Sequence, residues 1–285
     1  MITKLHVIPT ENLKLDGGAM FGVVPKTLWN KVYPADENNQ CNWAMRCLLA
    51  ETDDGKRILI DNGMGNKQDE KFMGYYNLNG DATLEKSLKQ AGFSFEDITD
   101  VILSHLHFDH CGGSVSKDKK TNTLYLTFPN ANYWVSEAQW NWAINPNNRE
   151  KASFLKENIL PIQEKGQLRF IDKTTNDYLQ MDIRIFNGHT EGQIIPIIPY
   201  KGKKVAFMAD LLPSTAHIPI PWVMSYDTRP LLTMEEKAVF LEEALQNDYI
   251  LFFEHDLYHE CCNLTRTPKG IRAKDTFTLY EYFKN

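Results

Sequence analysis

One ten-residue stretch constrains this chain more than any other part of its sequence. Residues 104–113 read Ser-His-Leu-His-Phe-Asp-His-Cys-Gly-Gly, with three histidines and one aspartate within six positions. The apolar residues 101–103 precede it and predict a buried strand. Histidine and carboxylate side chains are ligands of zinc-like and iron-like ions. A turn after a strand lets adjacent side chains converge, which the alternation of a strand prevents. The stretch therefore predicts a metal site in preference to a solvated loop or core histidines.

The overall charge argues against a nucleic-acid partner. The chain has 285 residues, 42% of them hydrophobic and 24% charged, with a formal net charge of −6. These are ordinary values for a globular protein. The one basic cluster, residues 117–120, is interrupted by Asp118, and we interpret it as a solvated loop tip.

The sequence indicates a reduced compartment and no membrane partner. Residues 1–6 lack the charged head and apolar core of a signal peptide, and no apolar run reaches about 18 residues. The five cysteines are odd in number and lack zinc-finger spacing. We therefore expect a cytoplasmic protein. Cys111 adjoins the motif, and we favour a small buried residue there over a ligand or reactive thiol.

Strand and helix patterns alternate along the chain and predict an α/β fold in a single domain, residues 1–285. The predicted strands are 2–8, 43–50, 57–60, 100–103, 124–128, 131–135, 168–171, 181–186, 194–199, 204–208 and, last, 249–253. The predicted helices are 83–91, a helix capped by Ser136, about 150–159, and 233–247 with a capping box at Thr233 and Glu236. The glycines at 17, 18 and 22 favour a loop or hairpin.

Three further residues, His189, Asp210 and His255, each directly follow a predicted strand. Active sites of layered α/β proteins gather at strand ends, although a single residue there is more often a capping or packing residue. With the motif they make seven candidate ligands, enough for two ions. One ion would be held by His105, His107 and His189, the other by Asp109, His110 and His255, with Asp210 bridging the two.

Asp61 also follows a predicted strand and precedes Gly63. Two roles stay open for it. It could cap a turn, or it could accept a hydrogen bond from a metal-bound histidine.

The ordered set of motifs closely resembles the metallo-β-lactamase superfamily of hydrolases, over residues of about 45–260. The resemblance is carried by Ser104-His105-Leu106-His107-Phe108-Asp109-His110, Gly112-Gly113, Gly188-His189-Thr190, Asp210 and His255. It implies an αβ/βα sandwich, in which two mixed sheets face each other with helices outside (four layers in all) and a dinuclear site lies at one edge. It also implies two divalent ions, usually zinc, sometimes manganese or iron. Residues 1–40 would be an N-terminal extension.

Several branches of that superfamily fit this chain less well. Oxygen-reducing members place a glutamate where His107 stands and carry a flavin domain. RNA-processing members have basic surfaces and extra domains. The β-lactamases are secreted and usually lack the bridging aspartate. Thioesterases of the glyoxalase-II type bind glutathione with basic C-terminal residues. Here Lys269 and Arg272 are better interpreted as surface charges.

The lactonase and organophosphate-hydrolase branch is the most similar, through the His-Leu-His-Phe-Asp-His string and residues 128–131. One departure bears on the substrate. Quorum-signal lactonases carry a catalytic tyrosine three residues after the bridging aspartate, where this chain has Pro213. Ser214, Thr215, His217 or Tyr226 could supply a donor instead, and each is equally interpretable as a loop residue.

The resulting hypothesis is a dinuclear hydrolase that uses a metal-bridging hydroxide on a small ester, lactone or phosphotriester. Asp109 and Asp210 are its candidate catalytic residues. The alternatives are a glyoxalase-II-like thioesterase or a non-hydrolytic di-iron protein that binds oxygen or nitric oxide. We expect a small-molecule substrate, and a homodimer stays open. The predicted substrate-binding residues are Phe21, Phe108, Trp140, Trp222 and His217.

Overall fold

The computed structural model describes residues 1–172 and 175–284, and most of its strands belong to two six-stranded sheets. The strands are β1 (Ile2–Pro9), β2 (Leu13–Asp16), β3 (Gln40–Trp43), β4 (Arg46–Thr52), β5 (Arg57–Ile60), β6 (Asp100–Ile102), β7 (Val115–Lys117), β8 (Leu124–Leu126), β9 (Asn132–Val135), β10 (Leu168–Phe170), β11 (Asp182–Phe186), β12 (Gln193–Tyr200), β13 (Lys203–Phe207), β14 (Ile250–Phe252), β15 (Cys261–Thr267) and β16 (Gly270–Phe277).

The helices are mostly short. They are α1 (Gly17–Phe21), α2 (Lys26–Trp29), α3 (Glu70–Tyr76), α4 (Leu84–Ala91), α5 (Phe108–Cys111), α6 (Glu137–Ile144), α7 (Lys156–Glu164), α8 (Thr175–Leu179), α9 (Pro230–Gln246) and α10 (Leu279–Lys284), with 3₁₀ turns at Phe95–Asp97, Gly112–Ser114 and Thr215–His217. None of the helices in the described ranges is long and apolar enough to span a membrane.

Both large sheets mix parallel and antiparallel pairing. The first sheet has the order β1-β4-β5-β6-β9-β10, antiparallel from β1 to β5 and parallel from β5 to β10. The second has the order β11 to β16, in which only β13 and β14 are parallel. The predicted sandwich of two mixed sheets is confirmed.

The pleat of β4 shows how the layers are built. Leu48 and Ala50 face the second sheet, while Cys47 and Leu49 face the helices on the other side, because successive strand residues point to opposite faces. Helices α4, α6 and α7 cover that outer face, and the buried stripe of α9 packs with the second sheet. The order of layers is therefore helices, sheet, sheet, helix.

Some local predictions were wrong. The glycine-rich stretch at 17–21 is the short helix α1, with Asp16 as its N-cap. The helix predicted from about 150 begins at Lys156, since the turns before it hold Glu150 in a buried polar network. The strand predicted as the last, 249–253, is β14, but β15 and β16 follow it and extend the second sheet. Their alternation of small, polar and charged residues gave no clear strand signal.

The capping box predicted at Thr233 and Glu236 was also wrong. Helix α9 begins earlier, at Pro230. The first turn of a helix tolerates proline, because the N–H groups there have no partner within the helix and proline only removes one of them. The Thr233 hydroxyl donates to the Arg229 carbonyl. Glu236 accepts hydrogen bonds from the backbone N–H groups of Asn187 and Gly188, so it holds the loop before His189.

The strand directions explain why distant residues meet. Strands β11 and β13 are both antiparallel to β12, and β14 is parallel to β13, so the carboxyl ends of all three lie at one edge. The end of β6 meets this edge from the first sheet. The Ile194 N–H donates to the Ser104 carbonyl there at 2.8 Å.

Candidate metal centre

Seven buried side chains from both sheets converge at this edge. Their ligand atoms form a first group, His105, His107, His189 and Asp210, and a second group, Asp109, His110 and His255. In the first group, Nδ1 of His107 lies 3.0 Å from Nε2 of His105 and 3.2 Å from Nε2 of His189. In the second, the Nε2 atoms of His110 and His255 are 3.1 Å apart. The structure thus brings together all seven residues that the sequence singled out.

Asp210 lies between the two groups and turns one oxygen toward each. Its Oδ2 is 3.2 Å from Nε2 of His189 and 4.0 Å from Nε2 of His105. Its Oδ1 is 3.2 Å from Nε2 of His255 and 3.6 Å from Nε2 of His110. A carboxylate in this position can bridge two cations.

The donor set fits a dinuclear site. Ligand nitrogens of a tetrahedral zinc lie about 3.3 Å apart when each bond is about 2.0–2.1 Å, close to the nitrogen separations within each group. Oδ1 of Asp210 is buried, and none of its contacts with the described residues has the geometry of a hydrogen bond, the 3.2 Å contact with Nε2 of His255 included. A buried carboxylate oxygen in that state is costly unless a cation or donor meets it.

The glycine pair of the motif serves close packing. A Cβ on Gly112 would lie 2.1 Å from the Met64 carbonyl oxygen, and one on Gly113 would lie 2.2 Å from that of Asn62. Gly112 itself has the ordinary helical φ of −61°. The loop after β5 can therefore pack directly against the motif, which brings Asp61 to the site.

Asp61 makes the contact with a candidate ligand that the second of its two predicted roles requires. It adopts a left-handed backbone conformation, φ 54°, which is uncommon for a residue other than glycine. Its Oδ1 accepts from the Ser104 N–H at 2.7 Å, and its Oδ2 lies 3.1 Å from Nδ1 of His110. Asp61 thus orients His110, whose Nε2 faces the centre.

Three other acids around the centre were not found from the sequence. Glu150 lies 3.0 Å from Nε2 of His107, Asp227 lies 2.9 Å from Nδ1 of His189, and Glu254 lies 2.9 Å from Nδ1 of His110. Glu150 and Asp227 belong to irregular segments without a sequence pattern. Glu254 directly precedes His255, and that position at a strand end was the one available signal.

The charges of the centre are strongly coupled. Burial raises the pKa of Asp210, but His189, His110 and His255 outweigh burial and hold that pKa well below its usual range. Burial lowers the pKa of His255, yet Asp210 raises it to about 9. Burial and the adjacent histidines lower the pKa of His105 well below its usual value. Asp210 is therefore an anion at neutral pH, and the His105 ring is neutral.

A cavity of about 410 Å³ opens onto the centre. Its apolar wall includes Leu15, Met20, Phe108 and Met224, and its polar wall includes Tyr76, Asp109, Arg149, Glu150, Asp210 and Tyr226. A cleft of this size, apolar with a few convergent polar groups, suits a small ligand.

Of the five predicted substrate-binding residues, only Phe108 lines this cavity. Phe21 and Trp140 are fully or almost fully buried in separate hydrophobic cores. Trp222 packs edge-on against Phe21, and His217 stacks on Phe21 at 4.7 Å. Phe21, Trp140 and His217 are therefore interior residues, which α1, α6 and the 3₁₀ turn at Thr215–His217 point into the cores. Trp222 is half-buried.

The candidate donors near Pro213 have different surroundings. The Ser214 hydroxyl bonds to Nδ1 of His217, whose Nε2 donates to the Met20 carbonyl. Thr215 donates to Asp256. Tyr226, in contrast, lines the cavity. Cys111 is buried with its thiol toward the Leu106 carbonyl and belongs to neither ligand group.

Comparison with known proteins identifies the family. The model of the metallo-beta-lactamase superfamily matches residues 46–255. This match covers well over half of the chain, and the chain belongs to that superfamily.

Individual relatives share the fold and part of the sequence. A probable metal-dependent hydrolase from Staphylococcus aureus is 30% identical, with a TM-score of 0.85 over 98% of this chain and 100% of that one. AidC, a dizinc quorum-quenching lactonase solved with a product, is 25% identical, with a TM-score of 0.78 over 98% of each chain. An N-acyl homoserine lactonase from Bacillus cereus is 28% identical over 170 residues, which span 56% of this chain and 57% of the lactonase.

Proposed function

We propose that this protein is a dinuclear metal-dependent hydrolase of small lactones or esters. The observation that carries the proposal is Asp210, a buried carboxylate with one oxygen turned to each of two groups of ligand atoms. The lactonase relatives support the choice of substrate class. A phosphotriester is the second substrate class that the same chemistry would serve.

The residues divide the work between holding cations and handling protons. His105, His107 and His189 would hold one cation, Asp109, His110 and His255 the other, and Asp210 both. Two bound divalent cations would lower the pKa of water toward 7 and polarise the substrate oxygen. Asp210 stays ionised at neutral pH and so offers no proton. Asp109 also lines the cavity, so the one of its two carboxylate oxygens that does not hold the cation would be placed to accept a proton from the attacking water.

Tyr226 is the candidate donor to the leaving oxygen. Burial, with a contribution from Asp109, raises the pKa of its hydroxyl, so the group keeps its proton at neutral pH. No hydrogen-bond partner for this hydroxyl exists within residues 1–172 and 175–284. Its location on the cavity wall leaves it available to a substrate.

The thioesterase alternative has less support. Lys269 lies in the turn between β15 and β16 and Arg272 lies within β16, and neither lines the cavity at the metal centre. No observation on the centre favours a di-iron oxygen or nitric oxide carrier over a hydrolase.

The test is a panel of lactones, esters, thioesters and phosphotriesters, assayed with zinc, manganese and iron. We expect lactones or esters to be turned over, and Asp210→Asn to lose at least about 100-fold in kcat/KM, since even outer-shell changes cost about 10–100-fold. Tyr226→Phe should lower kcat while zinc content stays at two. Tyr125→Phe, a change at an exposed tyrosine on β8, is the control. Full activity of Asp210→Asn, or no turnover on any substrate, would contradict the proposal.

A further inference from the structure

Two adjacent residues in the turn before α7 reach toward different parts of the metal centre. Glu150 Oε1 lies 3.0 Å from Nε2 of His107. Its other oxygen, Oε2, accepts from Nε1 of Trp142 at 2.7 Å and from Nδ2 of Asn147 at 3.0 Å. Because three groups hold this carboxylate, it fixes the orientation of the His107 ring.

The neighbouring Arg149 points to the other half of the molecule. Its Nη2 donates to the backbone carbonyl of Ser225 and, at 3.3 Å, to that of Asp227. Asp227 in turn places its Oδ1 2.9 Å from Nδ1 of His189. The guanidinium therefore joins the segment that orients His107 to the segment that orients His189.

These two histidines belong to the same ligand group. Nδ1 of His107 and Nε2 of His189 are 3.2 Å apart, although the residues are 82 positions apart in sequence and follow strands of different sheets. Their separation depends on how the two sheets and their loops are held together. We propose that Arg149 is a positioning residue that clasps these two loops and so sets the affinity of the first ligand group for its cation.

The second ligand group is oriented by other contacts. His110 is held by Asp61, and Nδ1 of His255 donates to the Ala44 carbonyl at 2.7 Å. Within residues 1–172 and 175–284, Arg149 makes no hydrogen bond to any of these residues, so its loss should leave their arrangement intact. Loss of Arg149 should therefore lower the affinity for one cation and leave the affinity for the other unchanged. The inference rests on the proposed dinuclear centre.

The experiment is a zinc titration of chelator-stripped protein in competition with a chromophoric chelator. We expect two tightly bound equivalents in the wild type. In Arg149→Met, which keeps the length of the side chain but removes its donors, one equivalent should weaken about 10–100-fold and the other should be unchanged. Arg149→Lys should recover part of the loss, since an ammonium keeps donors. Lys151→Ala, a change at an exposed residue of the same turn, is the control and should match the wild type.

A double-mutant cycle identifies which equivalent is affected. Asp227→Asn, which removes the charged acceptor on His189, should weaken the same equivalent, and adding Arg149→Met to it should cost clearly less than the sum. Unchanged binding in Arg149→Met, or equal weakening of both equivalents, would overturn the inference. A wild type that binds fewer than two zinc ions would instead contradict the proposed dinuclear function.

Discussion

At the scale of single residues, the centre depends on side chains that orient its ligands as much as on the ligands. Asp61 is the clearest case, since it has an uncommon backbone conformation and bonds both to Ser104 and to His110. Asp61→Asn keeps the shape, and asparagine tolerates the left-handed conformation. It removes the negative charge and one acceptor from the His110 ring.

We expect Asp61→Asn to weaken the binding of zinc about 10–100-fold with little change in fold. Isothermal titration of stripped protein with zinc measures this directly. Asp118→Asn, at an exposed loop tip, is the matched control. Wild-type affinity in Asp61→Asn would show that this aspartate only shapes the turn.

His217 is buried and predicts a pH dependence of stability. Burial lowers its pKa to about 3, against about 6.5 for an unfolded chain. Below pH 6.5 the unfolded state therefore binds a proton that the native state does not. The stability that the buried neutral ring contributes is complete above pH 6.5 and decreases as the pH falls toward 3.

At pH 5 this loss should reach about 2 kcal/mol. His217→Gln has no titrating ring, so the difference in free energy of unfolding between wild type and variant should narrow by about that amount between pH 7.5 and pH 5. Urea unfolding of both proteins, with zinc in excess throughout, gives the difference. A constant difference across this range would contradict the assignment.

At the scale of elements, the long segment between β13 and α9 has no periodicity but is firmly attached. Lys237, in the middle of α9, is almost completely buried, and its Nζ donates to the carbonyls of Pro219, Ile220 and Trp222 at 3.2, 3.3 and 2.8 Å. Burial lowers the pKa of this lysine to about 7. The same segment continues to Tyr226 on the cavity wall, so the lysine anchors part of that wall.

Lys237→Met should lower the free energy of unfolding by about 1–3 kcal/mol, because buried carbonyls lose a donor. Amide exchange in residues 220–227 should become faster. Lys274→Met, on the exposed face of β16, should stay within about 0.5 kcal/mol of the wild type. Unfolding in urea and hydrogen exchange measure the two effects. An unchanged exchange rate in this segment would show that the lysine does not hold it.

At the scale of the whole molecule, the centre joins the two sheets at one edge. Its ligands come from both, so bound cations should stabilise the native state by mass action, by about 3 kcal/mol per site at a hundredfold excess over Kd. Removal of metal by a chelator should lower Tm by about 5–15 °C. Two equivalents of zinc should restore it, whereas magnesium should not, because it prefers oxygen ligands in octahedral geometry. An identical Tm with and without chelator would show that no stabilising cation binds.

The sequence by itself determined the class of site and much of the architecture. Histidine and aspartate at the ends of apolar strands specify their chemistry wherever the chain places them, and the period of two in strands such as β4 determines which residues face the inter-sheet core. Those signals are local, so they can be read from one segment at a time.

Only the tertiary structure decided what surrounds the site. Glu150 orients His107 and Asp227 orients His189, each from an irregular segment far away in sequence. Of the aromatic candidates, Tyr226 faces the cavity, whereas the interior holds Phe21, Trp140 and His217. The physical reason is that a hydrogen bond to a ligand, or a side chain's choice between core and cavity, depends on how two sheets and their loops pack. No local pattern encodes that packing.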